Sequence, residues 1–407
     1  MEYQIKILML AFAIAFVVSL IVIPILRRKK VGQTERNDGP QSHLKKQGTP
    51  TMGGIIMIIS LLAMGGIIYY SYSREAIEAE KMVAKNLLPL LFASIGFGLI
   101  GFVDDYKKLI LKNTEGLKPK YKMLGLLVIA TIFTVYLTQV MKIGTDMLIP
   151  FAKINITIPI WIYIPFTILV MLATTNAINL TDGIDGLSTS VTTIILTCLT
   201  VIGMITGTKE IVVFGASFIG ICLAFLLFNL HPAKIFMGDT GSMLLGYTLA
   251  AISVMGAVKT AAMIALVVPA IVLGLPILDT LFAIVRRKIS GRPIFKPDKG
   301  HVHHRLLAQG LTQKQAVLLM YAVTALFGGV SVIVAEVNAW VGATLVLVIF
   351  LCSIYIARRL GVIMHSDAAG HPLPRPTIER SDSDDTISFD RDELAKALEN
   401  TDDSHKE

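Results

Sequence analysis

Five polar stretches carry residue types that can do chemistry, each beside long apolar runs. In GFVDDYKK (Gly101 to Lys108) the carboxylates Asp104 and Asp105 are adjacent. On a helix they point about 100° apart, so one face does not account for both. Two carboxylates at a helix C-terminus oppose the macrodipole. A metal, or Lys107 and Lys108, should compensate; an interfacial charge cluster balanced by those lysines is the plainer account. In NAINLTDGIDGLSTS (Asn176 to Ser190), Asn176, Asn179, Asp182 and Asp185 recur at intervals of three, with Gly183 and Gly186 behind the aspartates. Their oxygens are hard donors suited to Mg²⁺ or Mn²⁺, or to the imide edge of a base. The competing account is an Asx-turn, with Asp185 capping the next helix.

The third stretch, NLHPAKIFMGDTGSMLLG (Asn229 to Gly246), sets Asp239 between glycines ahead of an apolar run, where Thr240 or Ser242 can cap a helix. Phe236 is an interface aromatic, or a stacking platform if a planar base lies near. The fourth, residues 286–313, gathers His301, His303 and His304 with Asp298, Lys299 and Arg305. An HxHH spacing can ligate a transition metal, but zinc would need a further ligand. Histidines among basic groups fit a phosphorylated ligand better, as donors and proton carriers. The fifth, NDGPQSHLKKQGTPTMGG (Asn37 to Gly54), offers Lys45, Lys46 and the Thr49 and Thr51 hydroxyls to a phosphate. It lacks the full phosphate-loop pattern, so no nucleotide hydrolase is implied.

The elements that position these stretches follow from composition. Of the 407 residues 54% are hydrophobic and 16% charged, with a mean hydropathy of +0.68, whereas soluble domains carry roughly 25% charge. A cytosolic enzyme, a disordered chain and a fibrous repeat are excluded. An all-α polytopic membrane protein remains. Cys198, Cys222 and Cys352 lie singly in apolar runs and form neither a disulfide framework nor a zinc spacing.

Eleven spans are predicted, near 4–26, 53–71, 87–103, 121–140, 158–175, 187–206, 211–229, 242–257, 259–285, 314–335 and 337–357. RRKK after the first puts that end in the cytoplasm. No small-residue cleavage site follows it, so it reads as an anchor, not a removed signal peptide. Alternation then puts the N-terminus outside, the C-terminus in the cytoplasm, and the basic loops after spans 1, 3, 9 and 11 inside. The four clusters centred on Asp104, Asn179, Asp239 and His301 all fall on that inner side.

Residues 1–365 read as one membrane domain and 366–407 as a cytoplasmic tail. The tail holds 12 acidic and 5 basic residues, a charge of −7, which leaves +15 for the rest. It reads as largely disordered, with DELAKALEN a candidate short helix. The basic excess orients the chain and does not imply a nucleic-acid partner.

Carboxylates, hard oxygens, lysines and histidines at one membrane face imply an anionic substrate bridged by a divalent metal, with a lipid as one reactant. A transporter would instead place ionisable groups near mid-membrane and break helices in paired halves. The mid-span regions are nearly free of charge, which favours an enzyme.

GTPTMGG, GFVDDYKK, NAINLTDGIDGL, NLHPAKIFMGDTGS and HVHHRLLAQG occur in this order. From about Arg27 to Gly310 the chain resembles the polyprenyl-phosphate N-acetylhexosamine-1-phosphate transferases, bacterial membrane enzymes that make the first lipid-linked sugar intermediates of the cell wall. The resemblance implies transfer of a sugar-1-phosphate from a UDP-sugar to undecaprenyl phosphate at the cytoplasmic face of the cell membrane. UMP is released, with Mg²⁺ or Mn²⁺ as cofactor, and a homodimer is a candidate assembly.

By motif match, Asp239 resembles the principal metal ligand and Asn179 a second candidate, with Asp182 and Asp185 as competitors for that second place. Asp104 is similar to the aspartate that deprotonates or positions the lipid phosphate, and Asp105 would support the site electrostatically. Asn176, Asp182, Asp185, Asn229 and Phe236 match a uridine pocket, with Phe236 stacking and Asp182 accepting from the imide. His301, His303 and His304 resemble a loop that reads the sugar and its phosphate. A phosphate monoester has its second pKa near 6 and is mostly dianionic at neutral pH, so positioning can matter more than a base.

Two branches of the family compete. NDGPQSHLKKQGTPTMGG resembles the branch that transfers phospho-N-acetylmuramoyl-pentapeptide. DKGHVHHRLLAQG resembles the GlcNAc-1-phosphate transferases that start surface polymers such as teichoic acid and lipopolysaccharide. With weight on the late loop, UDP-GlcNAc is the expected donor.

Overall fold

The computed structural model describes residues 2–29, 49–113, 116–141, 146–149, 154–259, 274–289, 301–337 and 339–359, with the pairs 378–379 and 388–389. Twelve helices lie among them. They are α1 (Glu2–Arg28), α2 (Gly54–Ser73), α3 (Glu78–Leu109), α4 (Pro119–Gln139), α5 (Ile160–Thr181), α6 (Leu187–Ile205), α7 (Lys209–Asn229), α8 (Gly238–Lys259), α9 (Gly274–Ile289), α10 (Val302–Ala308), α11 (Gln313–Glu336) and α12 (Ala339–Arg359). Eight of them are long and apolar enough to cross a membrane.

Helices overlie ten of the eleven expected spans. The ninth is described from Gly274 onward, as α9, and its first part lies outside the described residues. A hairpin that the sequence did not announce joins α4 to α5. In it β1 (Asp146–Ile149) pairs antiparallel with β2 (Ile154–Thr157), in the register Asp146↔Thr157 to Ile149↔Ile154. The acidic tail lies outside the described residues except for Ile378–Glu379 paired with Ser388–Phe389.

The chain forms two compact units. One is Met1–Ile277 with Tyr321–Leu347, the other Leu278–Met320 with Val348–Glu407.

In the first unit α8 is the hub, packed against α2, α3, α5 and α6. Met243, Leu244, Leu245, Tyr247 and Leu249 to Ile252 are buried. Because α8 is wrapped by protein, it can carry Ser, Thr and Tyr. Hydroxyls in the outer helices meet the rule that backbone and side-chain polar groups in lipid be satisfied internally. They donate to the carbonyl one turn back, as in Ser60 to Ile56, Ser94 to Leu90, Thr175 to Met171 and Ser217 to Val213.

Close approach of helices needs small residues where backbones meet. Gly54 at the start of α2 lies against Gly241 of α8, and Gly101 of α3 lies against the Asp239 carbonyl, so that a Cβ at either would collide with backbone. A rotamer change relieves neither clash. Gly101→Ala should therefore destabilise the protein by about 1–3 kcal/mol through overpacking. Gly66→Ala, which meets open space within 4 Å, should be neutral or stabilising by ~0.5–1 kcal/mol. Size-exclusion profiles of detergent-solubilised protein after stepwise heating would check the pair; equal midpoints would refute the packing argument.

Candidate functional site

The neighbouring aspartates of α3 do different work, as their divergence on a helix requires. Asp105 points at the start of α8. Its Oδ1 accepts the Asp239 N–H (3.1 Å), and its Oδ2 accepts both the Thr240 N–H (2.9 Å) and the Thr240 hydroxyl (2.6 Å). A carboxylate from another helix thus caps α8 and meets the positive end of its dipole. Thr240, expected as the cap, spends its hydroxyl on Asp105. The Ser242 hydroxyl lies 3.5 Å from the Asp239 carbonyl and accepts from Asn179.

Asp104 faces the other way. Its Oδ1 accepts the Leu117 N–H at 2.6 Å, which the loop reaches by turning at Gly116 (φ +65°). Its Oδ2 accepts from Lys108 Nζ (2.8 Å) and Lys122 Nζ (3.1 Å). The same ammonium groups reach Asp239 Oδ2 from the opposite side, at 3.1 Å from Lys108 and 2.8 Å from Lys122. Two carboxylates and two ammonium groups form a closed, charge-balanced square. Lys108 is a compensator expected from the sequence. Lys107 is not part of the square, and Lys122 was missed because a lysine in the first turn of an apolar span reads as one that snorkels to the interface.

Asn179 of α5 completes the cluster. Its Nδ2 donates to Asp239 Oδ1 (2.9 Å) and Ser242 Oγ (2.7 Å). In this orientation the amide N–H₂ faces Asp239 and the oxygen is turned away; with the amide turned over, the oxygen is the hard donor beside the Asp239 carboxylate. Asp239, Asp104 and the Asn179 oxygen fit Mg²⁺ or Mn²⁺, which bind through one or two carboxylates and complete their shell with phosphate and water. Among the described residues no group of three or more His, Cys, Asp or Glu side chains forms an all-protein cage, so phosphates and water would supply the remaining ligands.

The stretches flanking this cluster are tied to one another. The Phe236 N–H donates to the Pro50 carbonyl (2.8 Å). Gly53 N–H donates back to Phe236 O (2.8 Å) and Gly54 N–H to Met237 O (3.0 Å). The GTPTMGG and IFMGDTG stretches are therefore joined by backbone, with Thr49 at the start of the described segment; Lys46 lies outside the described residues. Asp185 does not cap α6, whose N-cap is Gly186 in the left-handed region. Its Oδ2 instead meets His231 Nδ1 (2.9 Å) and the Ala233 N–H (3.3 Å), pinning the loop that carries Phe236.

Asn229 is buried. Its amide accepts from Thr189 Oγ1 and donates to the Ile235 carbonyl, both at 2.9 Å. It shapes the same loop, which accounts for its amide without a base. Asn176 folds back onto the Leu172 carbonyl of its own helix (2.7 Å), and Asp182 is the C-cap residue of α5.

The second unit holds the histidines. Asp279 of α9, missed in the sequence despite lying inside an apolar run, meets His301 Nδ1 (3.0 Å) and the Val302 N–H (2.9 Å). The His303 ring is stacked on His301 and lies 4.1 Å from His304 between centroids. His303 is 1% exposed, and neither ring nitrogen has a hydrogen-bond partner among the described residues. Burial, with His304 alongside, pushes it down to about 3. Asp298 and Lys299 lie outside the described residues.

Two tests follow. Asp105→Asn puts an amide N–H₂ against a buried donor and should cost about 1–3 kcal/mol, read as a lower thermal midpoint; an unchanged midpoint would remove the capping role. A histidine held below its unfolded pKa, near 6.5, contributes stability that is present above pH ~6.5 and lost as pH falls toward its folded value. Between pH 7.5 and 5.5 the wild-type midpoint should therefore drop more than that of His303→Leu. Parallel curves would show that His303 does not titrate this way.

Comparison with known proteins gives the family. The pattern of glycosyl transferase family 4 matches residues 87–257, which contain Asp104, Asn179 and Asp239. A phospho-N-acetylmuramoyl-pentapeptide-transferase of Acetivibrio thermocellus is 38% identical over 78% of this chain and 91% of its own. Proteins of the same name from Halalkalibacterium halodurans (37%; 79% and 94%) and Clostridium kluyveri (40%; 78% and 94%) match similarly. With its motifs in order and relatives matched over nearly their whole length, the chain belongs to glycosyl transferase family 4, the polyprenyl-phosphate hexosamine-1-phosphate transferases of bacterial membranes.

Proposed function

We propose that this membrane phosphotransferase moves phospho-N-acetylmuramoyl-pentapeptide from its UDP donor to undecaprenyl phosphate, releasing UMP at the cytoplasmic face. The observation that carries the transferase chemistry is the convergence of Asp104, Asp239, Asn179, Lys108 and Lys122. The donor assignment rests on relatives of 37–40% identity that bear that name. This replaces the expectation of UDP-GlcNAc, which rested on the late loop DKGHVHHRLLAQG, the DTLFAIVRRKISGRPIF stretch before it and the eleventh span. Similarity over more than three-quarters of the chain outweighs these stretches, but the loop keeps UDP-GlcNAc as the second reading.

An oxygen of the lipid phosphate attacks the sugar-bearing phosphorus of the donor, and the bond to UMP breaks. Mg²⁺ held by Asp239 and Asn179 would neutralise charge on the diphosphate and the departing UMP. Lys108 and Lys122 draw the anionic reactants to the two carboxylates. Asp104 holds Lys108 and Lys122, whose ammonium groups keep the lipid phosphate in line, and its proton-accepting role is secondary because that phosphate is already mostly dianionic. Phe236, with Asn176 and Asp182, would hold the uridine. Asp185 and Asn229 serve it through the loop that they pin. Thr49 and Lys46 are assigned to donor phosphate, and the histidine loop to the sugar phosphate on the family resemblance.

Purified protein with undecaprenyl phosphate and Mg²⁺ should yield lipid-extractable label from UDP-MurNAc-pentapeptide. Label from UDP-GlcNAc alone would reverse the donor assignment. Asp239→Asn should abolish turnover while the protein remains folded in the membrane; wild-type activity would sink the metal assignment.

A further inference from the structure

We infer that Asp279 is a positioning residue for His301, and that it presets His301 Nε2 to exchange a hydrogen bond or a proton with a sugar or phosphate group. This rests on the transferase reading above. An aspartate inside an apolar run is costly and calls for a partner that repays it. Asp279 and His301 are both buried, and one carboxylate takes two donors. Oδ1 accepts the Val302 N–H at 2.9 Å, and Oδ2 accepts His301 Nδ1 at 3.0 Å.

The first bond fixes the backbone immediately after the histidine and the second fixes the ring. An ionised carboxylate only accepts, so Nδ1 carries the proton. In neutral imidazole Nε2 is then a bare acceptor, able to take a hydrogen bond or a proton from a sugar O–H or N–H. In imidazolium it donates to phosphate. His303 is different: among the described residues nothing sets its tautomer. Of these two neighbours, His301 is the one preset for proton handling.

The amide of Asp279→Asn has one acceptor for the two donors. The Val302 N–H is main chain and keeps the oxygen, so the amide N–H₂ faces Nδ1 and drives the proton to Nε2. The expected result is a kcat lowered ~10–100-fold, the usual effect of removing the group that orients a working histidine. The KM for undecaprenyl phosphate should not change. His301→Ala should lose at least as much. The double variant should be no worse than His301→Ala alone, because the carboxylate acts only through the ring.

Losses that multiply in the double variant, or Asp279→Asn at the wild-type rate, would overturn the assignment while wild-type turnover upheld the transferase reading. His301→Ala at the wild-type rate would overturn it even if Asp279→Asn did not fold. A wild-type protein that labels no lipid from either donor would overturn the transferase reading, and this assignment with it.

Discussion

The carboxylate of Asp105 against the first turn of α8 is the contact on which the site's geometry depends. It satisfies two main-chain donors and a hydroxyl that apolar surroundings would leave without partners. It also fixes where Asp239 stands, because the Asp239 N–H is one of those donors. The backbone contact at Gly101 lies one turn away on the same helix and presses on the same residue. Asp239 is therefore fixed by its main chain, and its carboxylate is left to meet Lys108, Lys122 and Asn179.

The lysines set the electrostatics. Each ammonium group lies between the two carboxylates, so that charges which would repel across the site are bridged. Lys122 and Asp104 are well shielded from solvent, with side-chain exposures of 18% and 3%, so their attraction is less screened than that of a surface pair. The site therefore carries its own counterions, and binding an anionic substrate or a divalent metal rearranges contacts among charges that are already present.

Much of this was legible in the sequence because membrane chemistry is legible. Apolar length gave the helices, and the scarcity of charge made Asp104, Asp105, Asn179 and Asp239 conspicuous. What was not legible was the direction of side chains between helices. Asp105, Asp185 and Asn229 belong to residue types that recognise ligands and also tie loops, and spacing cannot tell which use a distant element will make of them. Lys122 and Asp279 escaped because each sits alone beside or within an apolar run. Their significance lies in partners 18 and 22 residues away. The donor turns on a related limit: the late loop and the amino-terminal stretch resemble different branches, and spacing alone does not rank them.

The joining of residues 50–54 to 236–237 has a consequence for how the protein is made. The main-chain partners of the GTPTMGG stretch lie more than 180 residues downstream, and the closing carboxylate of the lysine square is at position 239. α2, α3 and α4, with Asp104, Lys108 and Lys122, are synthesised before Asp239. The candidate site is thus the product of long-range closure, a slow class of folding event. It is complete only with α8 packed against α2, α3 and α5, so the earlier helices do not hold the full cluster by themselves.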